Sequence, residues 1–164
     1  MPAERTAFQR ALLLAGSFGP LGHLPASGTI TVAAVGIPLF WLTREWSSAA
    51  YVIAVTAFTA GAIWLHDIGD RILGEKDSRR LVWDEIVGFM IAVAFVPFTW
   101  QTVLIAFFVE RAIDIGKVPP ARWIERSWPG GWGVVGDDVI AGLYTCCLLH
   151  ILCAVLPGYL GLGG

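Results

Sequence analysis

The sequence predicts an all-α integral membrane protein, a helical bundle of about five spans with an N-terminal interfacial helix. Three observations predict it. Hydrophobic residues make up 56% of the 164 residues and charged residues only 15%, where a soluble domain carries roughly 25% charged. Mean hydropathy is +0.68. The charges are also gathered: most lie in residues 67–85 and 110–138, and no Asp, Glu, Lys or Arg occurs in 11–43, 46–66, 86–109 or 139–164. Disorder and a long coiled coil both require far more charge. A formal net charge of −2 without a basic block excludes nucleic-acid binding through bulk charge. Cys146, Cys147 and Cys153 stand in apolar surroundings and read as small hydrophobes rather than a disulfide framework or zinc site.

In chain order, residues 1–27 form an N-terminal unit and residues 28–164 the membrane domain. Residues 5–16 are too short to span and carry Arg5 and Arg10, as a helix lying in the interface would. Glu4 and the break at Gly16, Gly19 and Pro20 argue against a cleaved signal peptide. A spanning helix needs roughly 20 residues. Residues 46–66 and 139–157 meet this, and 28–43 are borderline with Pro38 as a kink. Residues 86–109 form one apolar run broken at Pro97–Gln101, which reads as a hairpin of helices over 81–97 and 102–113. A single tilted helix is the competing reading. The hairpin brings every Lys and Arg except Arg44 to the cytoplasmic side, as the positive-inside rule prefers. The eight tryptophans cluster near span ends, as an interfacial belt does.

The hairpin also brings carboxylates to one membrane face: Asp77, Asp84 and Glu85, then Asp114, then Asp137 and Asp138. Asp84-Glu85 and Asp137-Asp138 each stand at the head of an entering helix. One acidic pair caps free amides and complements the helix dipole. Two pairs plus Asp114 also suit magnesium, a hard cation bound through carboxylates together with substrate phosphate. Gly88, Ala141 and Gly142, one turn deeper, let helices approach closely or leave room for a headgroup. Lys117, Arg122 and Arg126 lie beside the acids, where they pair with them, anchor lipid or grip phosphate. Arg111 and Asp114 have i,i+3 spacing, and Arg80 and Asp84 are one turn apart. The glycines Gly130, Gly131 and Gly133 offer backbone amides to an anion. His66 and Asp70 share a helix face, as a helix-end pair or part of a metal site.

Three segments, KDSRRLVWDEIVGF (76–89), ERAIDIGKVPPARWIE (110–125) and GGWGVVGDDVIAG (130–142), resemble those of the phosphatidylglycerophosphatase A family of bacterial membrane lipid phosphatases. The resemblance runs over about residues 20–145. It carries the family's residues onto Asp77, Asp84, Glu85, Gly88, Asp114, Lys117, Pro120, Asp137 and Asp138. Ser27-Gly28-Thr29 stands where the family has Pro-Gly-Thr, and Glu110-Arg111 where an aromatic-arginine pair is common.

The resemblance implies magnesium-dependent hydrolysis of phosphatidylglycerophosphate to phosphatidylglycerol and inorganic phosphate, the last step of phosphatidylglycerol biosynthesis. It implies a multi-pass protein of the bacterial inner membrane with its site facing the cytoplasm. Asp84, Glu85, Asp137 and Asp138 are the expected metal ligands and, with Lys117, the expected catalytic residues. Asp77, Asp114, Lys117, Arg122 and Thr29 are the expected substrate contacts. Water activation and an aspartyl-phosphate intermediate both fit. The rival class is a small transporter using the acids for ion coupling.

Overall fold

The computed structural model describes residues 5–162. Among them every regular element is helical. Thr6 and Gln9 form a capping box, each side chain accepting from the other's backbone N–H, and so start α1 (Ala7–Gly16). A short 3-10 turn, Leu21–His23, leads to α2 (Ser27–Thr31), a π-helical turn (Val32–Gly36) and α3 (Ile37–Thr43). These last three run on as one apolar helix. Its irregularity lies just before Pro38. The ring there clashes with the carbonyl four residues earlier, and the wider π turn absorbs the conflict.

The two long helices are α4 (Ser48–Leu73) and α8 (Gly130–Val155). Both outrun the sequence expectation at the charged end. Helix α4 continues past His66 because Asp67 and Asp70 find partners, and it stops at Gly74, whose φ of 75° suits a residue without Cβ. Helix α8 begins at Gly130 rather than near Val139. The carboxylate of Asp67 accepts from the Gly131 amide at 2.7 Å and supplies the cap. Asp137 and Asp138 therefore lie two turns inside α8, not at its head. The amide of Gly131 serves this cap rather than an anion.

Between the long helices come α5 (Trp83–Ala92), α6 (Trp100–Gly116) and α7 (Ala121–Ser127). The predicted hairpin is α5 and α6, with bounds shifted. Helix α5 gives way to turns at Val93 and Phe95, the latter with φ 60°, before Pro97. Thr99 and Thr102 form the box that starts α6. Helix α5 is the hub. Ile86, Val87, Gly88 and Phe89 are all buried, and the helix packs along α8 and against α4. A Cβ on Gly142 would collide with the Gly88 carbonyl, so these small residues serve close helix contact and leave no room for a headgroup. Trp83 stacks on Phe58 at 4.6 Å and donates from Nε1 to the Ala15 carbonyl at 3.0 Å, tying α1, α4 and α5 together.

Helices α4 and α8 are each long and apolar enough to cross a membrane. Their most apolar windows are only 17% and 28% buried within the protein, unlike the mostly buried core helix of a soluble fold. Val52, Ile53, Leu148, Ile151 and Val155 point outward. The remaining apolar helices are shorter. The two charged segments meet at one end of the bundle, where Lys76 Nζ donates to the Glu125 carbonyl at 2.7 Å. A tilted single span over 86–109 would have separated them. Cysteines placed at exposed Glu75 and Ser127, in a chain lacking the native thiols, are therefore expected to label from the same side of a vesicle. Labelling from opposite sides would contradict this arrangement.

Candidate active site

The first turn of α5 buries Asp84 and half-buries Glu85. Their placement as N-terminal acids complements the helix dipole, and this part of the expectation matches the structure. Asp84 Oδ1 lies 3.3 Å from Nε2 of His66 on α4. The contact is electrostatic and not an aligned hydrogen bond: Asp84 Oδ1 and both ring nitrogens are buried without hydrogen-bond partners among the described residues. His66 thus faces Asp84 rather than Asp70. Asp70 accepts instead from the amides of Asp77 and Ser78, at 2.9 and 3.2 Å, and fixes the loop before α5.

Glu85 is held by shape. A Cβ on Gly28 would overlap its carboxylate, so only glycine lets α2 approach α5 here. Glu85 Oε2 is also buried and unpartnered among the described residues. Thr29 is half-buried on the same cavity wall, and the Ser27 hydroxyl donates to the Arg79 carbonyl at 2.7 Å.

Asp114 on α6 comes to Asp137 and Asp138 on α8. Each of the three offers an oxygen within 4.8 Å of the others. Asp84 and Glu85, expected as metal ligands beside Asp137 and Asp138, fall outside this closest set. Two cations balance it. Arg111 grips Glu110 with two hydrogen bonds of 2.7 Å, and also lies 3.4 Å from both Asp114 and Asp138. Lys117 donates to Asp137 and lies 3.6 Å from Glu125. Burial acts to lower the Lys117 pKa, but hydrogen bonding and attraction to Asp137 outweigh it and hold the ammonium charged, above its ordinary range. Lys117 caps α6 at φ 48°, a conformation that costs a lysine about 1 kcal/mol or more. That cost is set against the contact that turns its ammonium back to α8.

The remaining expected contacts are more peripheral. Asp77 is solvent-exposed, with φ 57°. Arg122 is exposed and makes no polar contact among the described residues. Arg80 and Asp84 do not pair. Two residues escaped the sequence reading: His66 as the partner of Asp84, and Glu110, which is fully buried. The signal for Glu110 was its charge within the expected 102–113 helix, a position that demands a partner.

A polar cavity of about 580 Å³ opens on the cluster, lined by Gly28, Thr29, Arg79, Glu85, Arg111 and Asp114 among others. An apolar groove of about 520 Å³ along α4 and α8, past Tyr51 and Phe95, contains none of the carboxylates. Three close carboxylates are hard oxygen donors, the kind a hard divalent cation takes, and Asp84 and Glu85 carry buried oxygens without hydrogen-bond partners among the described residues. Acids that suit a divalent cation, together with fixed cations, are the equipment of an enzyme acting on phosphate esters.

Comparison with known proteins gives the family. Residues 14–153 match the family phosphatidylglycerophosphatase A, and the chain belongs to it. The chain is 29% identical over 141 residues to phosphatidylglycerophosphatase A of Escherichia coli, covering 85% of this chain and 81% of that protein. It is 40% identical over 81 residues to the Haemophilus influenzae protein of the same name, about half of each chain (49% and 50%). A Bacteroides thetaiotaomicron protein, provisionally described as a phosphatidylinositol-3-phosphatase, is 34% identical over 159 residues, with 90% and 96% coverage. No solved structure matches. The chain is a phosphatase.

The Gly28–Glu85 contact is open to direct test. Gly28→Ala is expected to retain the native helical signal and lose more than about tenfold in phosphate release, because the carboxylate must move to admit the methyl. Unchanged turnover would remove Glu85's position from the requirements of the site.

Proposed function

We propose that the protein is a magnesium-dependent phosphatidylglycerophosphatase. It removes the terminal phosphomonoester of phosphatidylglycerophosphate and completes phosphatidylglycerol synthesis. The observation that carries this reading is the close set of Asp114, Asp137 and Asp138, within a chain of the phosphatidylglycerophosphatase A family. It favours a hydrolase over a transporter, because the acids gather at one end of the bundle and not along a path through it.

Asp137, Asp138 and Asp114 would hold the magnesium, with Asp84 and Glu85 available beside them. When bound, the cation supplies charge neutralisation and polarisation of the phosphoryl group. The chain's own groups do the rest. Lys117 and Arg111 neutralise phosphate charge and keep Asp137, Asp138 and Asp114 in place. Asp84, facing His66, would position the attacking water or accept its proton. Helices α4 and α8 cross the inner membrane, the ten-residue α5 is too short to cross and enters only part way as one arm of the α5–α6 hairpin, and α1 lies in the interface with Phe8 and Leu14 exposed to lipid. The acidic end then faces the cytoplasm, as the placement of Lys and Arg prefers.

Phosphate release from phosphatidylglycerophosphate by detergent-solubilised protein, with magnesium and then with chelator, tests the activity. Asp138→Asn and Asp84→Asn are each expected to lower kcat by about 100-fold or more while the helical signal persists. Near-normal turnover in either variant would remove that residue from the catalytic set. Magnesium is expected to raise the melting temperature of the native protein but not of Asp138→Asn, since a ligand bound only by the folded state stabilises it. Full activity in chelator would reject the metal.

A further inference from the structure

Phosphatidylglycerophosphate carries two phosphates, the terminal monoester that is cleaved and a phosphodiester one glycerol away. The cluster described above accounts for the first. We infer that Arg79 and Arg80 form a separate subsite for the phosphodiester and so select lipids that bear both groups. This inference rests on the phosphatase reading and adds the recognition of the uncleaved part.

The cavity of about 580 Å³ is lined by charged residues of two kinds. Glu85, Asp114 and Arg111 belong to the carboxylate cluster, and the guanidinium of Arg111 is already committed to Glu110, Asp114 and Asp138. Arg79 and Arg80 line the same cavity, both exposed and neither in an ion pair among the described residues. These are the cavity's uncommitted guanidiniums, and guanidinium matches phosphate geometry with paired donors. Arg80 also borders a smaller cavity of about 230 Å³ that Arg5 and Arg10 of the α1 region line, so the positive wall continues toward the interface.

The backbone under this wall is locked. Ser27 donates to the Arg79 carbonyl at 2.7 Å, and the Val82 amide donates to Gly16 at 3.1 Å. A Cβ on Gly22 would overlap the Arg80 carbonyl. The Gly/Pro loop and residues 79–82 are thus one unit, built against each other with no inward role for either arginine side chain. A fixed backbone presenting two free cations, in the same cavity as Glu85 and Asp114, suits a substrate with a second anion on a short tether. Holding that anion orients the monoester, which is a binding effect rather than a chemical one.

The test uses the full chain in detergent micelles, with total anionic amphiphile held constant by oleate, which has no phosphate. KM for phosphatidylglycerophosphate is measured with phosphatidylglycerol (diester only) or inorganic phosphate as competing inhibitor. In R79Q/R80Q, the KM and the phosphatidylglycerol inhibition constant are expected to rise about tenfold or more, since a hydrogen bond to a charged group commonly carries that much. kcat and the inorganic phosphate constant stay near native values. Arg71→Gln, an exposed arginine outside this cavity, leaves all four unchanged. No change in the double variant, or equal weakening of both inhibitors, overturns the subsite. Equal weakening by Arg71→Gln assigns the effect to general attraction to the anionic surface and overturns it as well. Arg79→Gln and Arg80→Gln singly repeat the measurement should the pair disturb folding. A native protein that releases no phosphate from phosphatidylglycerophosphate would instead refute the enzyme reading, a result distinct from all of these.

Discussion

The site depends on burying more carboxylates than the nearby fixed cations can match. Asp84, Glu110, Asp137 and Asp138 are all withdrawn from water, with Glu85 and Asp114 partly so, and Arg111 and Lys117 are the permanent positive charges among them. A buried anion without a partner costs several kcal/mol, of order 3–5 when one member of a pair is removed. The fold meets this by making one guanidinium serve three acids and one ammonium serve two. Arg111 lies within α6 and Lys117 caps it, so that helix supplies both cations to the acids of α8. The charge the cations leave unbalanced is what the proposed divalent ion would neutralise.

Close packing makes this arrangement possible. Glycines at 88 and 142 bring α5 against α8, and Gly28 brings α2 against Glu85. In each case a methyl group would displace either backbone or a carboxylate. The small residues therefore act on the chemistry through distance: they set how near acids from different helices stand. Glu110, beside Gly88, belongs to the same construction, since a Cβ at 88 would reach its Oε1 at 2.7 Å. Its bidentate grip on Arg111 keeps the guanidinium from swinging toward solvent.

Much of this was legible in the sequence. The all-helical class, the α5–α6 hairpin and the acids of the cluster follow from where charge is absent and where it gathers. Helix starts were less legible. Asp137-Asp138 resembles an N-terminal acidic pair, yet the cap of α8 comes from Asp67, which is far away in the chain. Local rules cannot see a cap delivered from another helix. The same limit hid the His66–Asp84 contact, because i,i+4 spacing pointed to Asp70 while the true partner lies on α5. Lys117 was legible as a neighbour of the acids, but its left-handed backbone at a helix end was not.

The Asp67 cap has a mechanical side. It fastens α8 to α4 at their charged ends, where the Gly131 backbone also sits too close to the Ile63 carbonyl to admit a side chain. The helix that supplies Asp67 also carries His66, and the helix that receives it carries Asp137 and Asp138. One hydrogen bond and one glycine therefore fix how the two longest helices stand to each other beside the acids, so a slip of either helix along its axis would be felt at the cluster as a change of distance.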